Sequence, residues 1–275
     1  MGSRSSARRA LTRRPFPWRR LARDSAVIVG LAWFVVGWGI LHYRADWFTD
    51  ALAYYRVNPG MPYGASTPGI PGIFTYSPVA AQVFVVLGRI PEPMFLGGWL
   101  ALNLGILFWL VRATPWVALA LAAPIADEII TGQVEFVLAA AIVLGIRRPA
   151  FWAIPLLTKV TPGVGVLWFA VRRKWRPLVT ALTVSGALAL ISFAIAPTWW
   201  AAWVDFLRAS AAGDAHQLPV VRFVIAAILV VWAARTDRAW VLPVAAILAL
   251  PVVWLHSLSM LAAVPMLRRL PQSPP

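Results

Sequence analysis

Most arginines of this chain stand at the ends of apolar runs, and that arrangement constrains the fold more than any other feature. Eight fall between Arg4 and Arg23, and the next ones include Arg89, Arg112, Arg147-Arg148, Arg235, Arg238 and Arg268-Arg269. Between them lie apolar segments too long and too numerous for the core of one water-soluble domain. Of the 275 residues 60% are hydrophobic and only 13% are charged, about half the usual charged share. The chain reads as an integral membrane protein. Backbone groups in lipid must find partners within their own segment, so the spans are helices. The expected fold is all-α, a polytopic bundle of about 8–11 transmembrane or half-membrane helices, several of them shorter than the ~20 residues of a perpendicular span.

The net charge of +15 does not indicate nucleic acid, because the basic residues flank apolar runs instead of forming one patch. The pattern is that of cytoplasmic loops, with attraction to anionic membrane lipid. It places both termini in the cytoplasm of a plasma-membrane protein. Residues 1–24 read as a disordered basic cytoplasmic tail, 25–268 as a single transmembrane domain, and 269–275 as a second cytoplasmic tail. The long, tryptophan-bearing run Ser25–Leu41 reads as an uncleaved first helix. The absence of cysteine excludes disulfides, thiolate metal sites and cysteine nucleophiles. No HExxH or paired-histidine spacing points to a metal, and there is no phosphate-binding glycine loop or serine elbow.

The first helix delivers His42–Asp50 to the outer face. Arg44–Ser77 is too polar and too rich in Gly and Pro to span, and reads as an outer loop with short interfacial helices. Pro197–Leu218 reads as a second outer loop, anchored by Trp199, Trp200 and Trp203. The hardest segment is Pro149–Val171, 23 uncharged residues but for Lys159, set between Arg147-Arg148 and Arg172-Arg173-Lys174-Trp175-Arg176. If both clusters are cytoplasmic, it is a hairpin of two half-length helices meeting at Lys159–Pro162. If they lie on opposite sides, it is one span with a buried lysine. The hairpin keeps more arginines inside and is preferred.

A lysine at membrane depth costs roughly 3 kcal/mol or more and calls for a partner. Lys159 suits a phosphate; an ion pair with Glu128 or Glu135 is the structural alternative. Asp46 and Asp50, four residues apart, would share a helix face. Either could take a proton from a hydroxyl, or be a solvated loop carboxylate. Gly132-Gln133-Val134-Glu135 sets a turn beside two polar side chains, for a ligand or for structure. His256, two residues after Trp254, could reach the same opening or simply bond a backbone carbonyl.

Six strings occur in the order found in glycosyltransferase family 87. They are Asp50-Ala51-Leu52-Ala53-Tyr54-Tyr55, Gly60-Met61-Pro62-Tyr63, Phe74-Thr75-Tyr76-Ser77-Pro78, Gly132-Gln133-Val134-Glu135, Lys159-Val160-Thr161-Pro162 and Pro251-Val252-Val253-Trp254-Leu255-His256. From about residue 40 to 268 the chain resembles a short, actinobacterial-type member of that family. The resemblance implies the C-type glycosyltransferase fold. It implies transfer of a hexose, typically mannose, from a polyprenyl-phosphate sugar to a glycolipid or polysaccharide hydroxyl on the outer face. Asp50, with Asp46 as second candidate, would be the base of an inverting displacement that needs no metal or other cofactor. Lys159 and His256 would face the donor phosphate. Tyr54, Tyr63, Tyr76, Gln133, Glu135, Thr161 and Trp254 would line the substrate cavity. Two other classes share the broken helices and the intramembrane charge: a transporter or flippase for a lipid-linked substrate, and a non-catalytic subunit of a cell-envelope complex.

Overall fold

A computed structural model describes residues 23–30, 32, 47–64, 73–213 and 217–270. Asp46, most of the first apolar run and most of the two terminal tails lie outside the described residues. Every described element is helical. Residues 23–30 belong to α1. There follow α2 (Thr49–Tyr55), α3 (Pro78–Leu87), α4 (Glu92–Val111), α5 (Trp116–Ala120), α6 (Ala122–Thr131) and α7 (Glu135–Gly145). The second half holds α8 (Ala153–Leu157), α9 (Leu167–Val171), α10 (Trp175–Ile195), α11 (Pro197–Gly213), α12 (Gln217–Arg235), α13 (Leu242–Ala249) and α14 (Val264–Arg268), with 3-10 turns leading into α8, α9, α13 and α14.

Among the described residues α4 and α10 are long and apolar enough to cross a membrane, and α6 with α7 forms a third candidate bent by 112°. Much of α4 and α10 faces outward: Phe108 and Leu190 are each 71% exposed. On α10 the buried residues are small, Ala181, Ser185 and Ser192. That small stripe lets the helix approach the bundle while its large side chains meet lipid. The interior is built on the same rule. Ala139 of α7, Ala245 of α13, Ala226 and Ala233 of α12, and Ala262 and Ala263 of the 3-10 segment His256–Ala263 are buried completely. Short, half-length elements fill this core, and alanine lets their backbones pack closely.

The segment Pro149–Val171 is a hairpin. The 3-10 turn Pro149–Trp152 runs into α8, the chain reverses at Thr158–Val160, and the 3-10 turn Thr161–Val166 runs into α9. Val160 takes a positive φ of 56° at the reversal. The halves pack on two glycines of the second half, set against the first. A Cβ on Gly163 would lie 2.3 Å from Leu156, and one on Gly165 would lie 2.1 Å from the Trp152 ring. Both flanking basic clusters therefore sit at one end of the bundle, with Lys159 at the other.

Several further arginines join that basic end through a chain of contacts. Arg172 donates to the Ala234 carbonyl at 3.1 Å and pairs with Asp237. Arg238 stacks on Trp232 and Arg268 on Trp240. Arg269 donates to the Ala113 carbonyl at 3.0 Å, beside the end of α4.

The expected outer loop at 197–218 is different. It contains α11, with Pro197 at its start, where a missing N–H costs nothing. Its alanines favour helix, and Asp205 pairs with Arg208 one turn on at 3.2 Å. The tryptophans read as loop anchors stand on this helix; Trp203 donates to the Thr75 carbonyl at 3.3 Å.

Candidate active site

The bend between α6 and α7 makes the site. Gly132 ends α6 in the left-handed region, φ 71°, which costs glycine little and other residues more. Its bare Cα also lets another helix come close. A Cβ there would lie 2.7 Å from that of Ala51. The Phe48 N–H donates to the Ile130 carbonyl at 2.7 Å and ties the start of α2 to the end of α6. These contacts bring Asp50, on the first turn of α2, beside Gln133.

Gln133 is the hub of a polar layer. Its Oε1 accepts from the Tyr54 hydroxyl at 2.8 Å and from the Tyr76 hydroxyl at 3.0 Å. The two hydroxyls lie 2.8 Å apart. Two hydroxyl protons are shared among three contacts, so at any moment one contact carries no proton. The Gln133 amide also bonds the Asp50 carboxyl. Tyr63 supports the layer from behind: its hydroxyl donates to the Tyr76 carbonyl at 2.8 Å, and its ring stacks on Phe206 of α11.

Below this layer is a buried charged cluster. Glu135, fully buried, opens α7 and pairs with Lys159 from the hairpin tip. The Lys159 ammonium also lies 5.8 Å from the centre of the Tyr76 ring. The ion pair was the structural alternative for Lys159, and its partner is Glu135. Glu128, also fully buried, faces Glu135 and accepts the Phe136 N–H at 3.3 Å, at the start of α7 where helix donors are free. Ser77 holds the tip by donating to the Leu157 carbonyl. The Thr161 hydroxyl turns back to the Lys159 carbonyl at 3.4 Å, so Thr161 shapes the tip.

His256 completes the cluster from the far end of the chain. Asp127 Oδ2 accepts its backbone N–H at 3.1 Å and faces its Nδ1 at 3.2 Å. Its Nε2 lies 3.8 Å from Glu135 Oε1. Trp254, 42% exposed, lies over the His256 ring at 6.5 Å between centres.

Asp50 shares this environment electrostatically. Burial raises its carboxyl above the usual carboxylate range; His256, the Gln133 hydrogen bond and Lys159 pull it down, and Glu135 pushes it up. A carboxylate held above its ordinary range is a better proton acceptor near neutral pH.

The structure thus brings together Asp50, Tyr54, Tyr76, Gln133, Glu135, Lys159 and His256, with Tyr63, Thr161 and Trp254 in supporting positions. Sequence reasoning missed Asp127, and it considered Glu128 only as a partner for Lys159. The available signal was a pair of carboxylates one turn before a glycine inside an apolar run. Among the described residues no group of three or more His, Cys, Asp or Glu has the arrangement of a metal site.

An all-helical membrane protein with an acidic, tyrosine-roofed site at one end and arginines at the other is a class, not yet a family. Residues 74–270 match glycosyltransferase family 87, more than half of the chain, and the chain belongs to that family. Asp50, Tyr54 and Tyr63 precede the matched segment. The chain is similar to a polyprenol-phosphate-mannose-dependent alpha-(1-2)-phosphatidylinositol pentamannoside mannosyltransferase of Mycolicibacterium smegmatis, 27% identical over 154 residues, 48% of this chain and 38% of that protein. It is also similar to the enzyme of the same name from Mycobacterium tuberculosis, 26% identical over 186 residues, 62% of this chain and 38% of that protein. The matches thus span under half the length of these relatives. No solved structure matches the chain.

Proposed function

We propose that this protein transfers a hexose, mannose in the first instance, from a polyprenyl-phosphate sugar to a hydroxyl of a glycolipid or polysaccharide. The acidic end faces the outer side of the plasma membrane and the arginine end the cytoplasm. The acceptor oxygen attacks the anomeric carbon and the bond from that carbon to the phosphate oxygen breaks. The polyprenyl phosphate leaves with the electron pair, the acceptor proton passes to Asp50, and the configuration inverts. No metal is required, because a phosphate is already a competent leaving group. What remains is to orient two substrates, remove one proton and offset phosphate charge. Lys159 and His256 do the last of these, and the Tyr54–Tyr76–Gln133 layer orients the sugar.

The observation that carries this reading is the position of Asp50. It comes from a short helix after the first apolar run, yet its carboxyl shares one electrostatic environment with Lys159 and His256, more than a hundred residues away. The mycobacterial relatives, named for a polyprenol-phosphate-mannose donor and a phosphatidylinositol mannoside acceptor, support this donor class and a first acceptor to test.

The test is transfer from radiolabelled polyprenyl-phosphate mannose to membrane lipids by the full chain and by Asp50→Asn. Loss of a general base lowers the rate by roughly 100-fold or more, with donor affinity little changed. Asp46→Asn in parallel should cost much less. If Asp46→Asn is instead the crippled variant, the base is Asp46. Full activity in both variants would remove the carboxylate mechanism.

A further inference from the structure

Two helices that carry the acidic site end, at their other termini, on a second cavity. Trp99 of α4 donates to the Gly132 carbonyl at 2.7 Å beside the site, and α4 stops at Val111, before Arg112. The helix α7 starts at Glu135 and stops at Gly145, before Arg147 and Arg148. Eleven residues rise about 16 Å, so the two locations are separated by about one bilayer leaflet. The cavity, about 490 Å³, opens between the ends of α4, α7 and α14.

Its polar lining is Arg112, Thr114, Arg147, Arg148 and Arg269, with no Asp or Glu. Arg269 gives one N–H to Ala113. The other three guanidinium groups make no ion pair or side-chain hydrogen bond among the described residues. The Thr114 hydroxyl oxygen is buried and has no hydrogen-bond partner, a state that native proteins rarely leave unexplained. Unopposed cations and an unused hydroxyl around one space are complementary to an anion that accepts several hydrogen bonds, and the planar arginine fork matches phosphate oxygens. The rest of the wall is apolar: Trp109, Leu144 and Met266 are part of it. A free phosphate would leave that wall wet, whereas a phosphate carrying hydrocarbon chains would cover it.

We propose that this cavity binds the phosphate headgroup of an anionic phospholipid. Its chains lie along α4 and α7. The lipid bridges arginines from three separate elements and so braces the helices whose opposite ends position Gln133 and Glu135.

The test uses the full chain in an uncharged detergent. The thermal midpoint is followed as phosphatidylglycerol, phosphatidylcholine or inorganic phosphate is added. Phosphatidylglycerol should raise the midpoint, as any ligand of the folded state does, and phosphatidylcholine and free phosphate should not at equal concentration. In Arg147→Gln/Arg148→Gln the phosphatidylglycerol needed for a half-maximal rise should increase at least about tenfold, the usual loss with charge-assisted hydrogen bonds. Arg112→Gln is the second variant, because Arg112 is exposed and its replacement breaks no contact. Arg176→Gln, outside the cavity, should leave the dependence unchanged. Wild-type dependence in both cavity variants would overturn the proposal, as would an equal response to phosphatidylcholine. A free phosphate effect matching that of phosphatidylglycerol would overturn the lipid assignment.

Discussion

Lys159→Met is the sharpest perturbation of this site, because the expected cost depends on whether its ion pair is truly internal. Glu135 is fully buried, Glu128 beside it is fully buried, and the Lys159 side chain is 16% exposed. Removing the ammonium leaves Glu135 facing a second carboxyl, with only His256 at 3.8 Å to compensate. An exposed pair would be worth under about 1 kcal/mol. Breaking a buried one costs about 3–5 kcal/mol. His256 is a partial substitute, so the expected loss is the lower figure, about 3 kcal/mol. At about 2–4 °C per kcal/mol for a chain of roughly this size, the midpoint should fall by about 6–12 °C. Tryptophan fluorescence in detergent can follow it, since Trp152 and Trp168 are buried residues of the hairpin itself. Glu135→Gln should also destabilise. The double variant Lys159→Met/Glu135→Gln should recover most of the loss, with a coupling of about 2 kcal/mol or more. A fall under about 2 °C in Lys159→Met, with no recovery in the double variant, would refute an internal pair. The double variant also separates two roles: folded but unable to bind donor, it would assign Lys159 a ligand contact beyond its structural one.

Four further outcomes are expected. Because burial holds the Asp50 carboxyl above the usual range, transfer should fail on the acid side at a higher pH than an ordinary carboxylate dictates, and a pH profile of kcat/KM measures this. The same raised value means Asp50 contributes stability below its unfolded pKa and loses that contribution as pH rises through the folded pKa. Asp50→Asn should therefore be at least as stable as wild type at neutral pH, which thermal unfolding at two pH values checks. Gly165→Ala drives a methyl group into the Trp152 ring at 2.1 Å and should cost about 1–3 kcal/mol by overpacking, without affecting donor affinity in the protein that stays folded. Gly132→Ala adds about 1–2 kcal/mol of backbone strain and pushes Ala51 away; it should lower the transfer rate more than Gly165→Ala does, because it moves Asp50 off Gln133.

What was legible in the sequence followed from short-range rules. The arginines at the ends of apolar runs marked one end of the bundle, and the clusters on both sides of Lys159 favoured the hairpin that Gly163 and Gly165 allow. Gln133, Glu135 and the tyrosines were singled out through the order of the motifs, and the structure brings them into one polar cluster. Pro197–Gly213 was misread because its tryptophans resemble interface anchors, while its alanines favour helix. The pairing of Asp127 with His256 was beyond reach. The two are 129 residues apart, and neither helical period nor charge pattern links them. In sequence, Asp127 and Glu128 stand where a span would end, since acidic residues in an apolar run usually mark its edge. The 112° bend after them reverses that meaning. A bend at Gly132 turns the end of α6 and the start of α7 into the same space, so carboxylates placed as if at a membrane edge become an interior cluster. The polar sequence at 127–135 and the left-handed glycine within it are then one device, which lets a membrane helix hold four acidic and amide side chains inside the protein and keep each of them close to a partner.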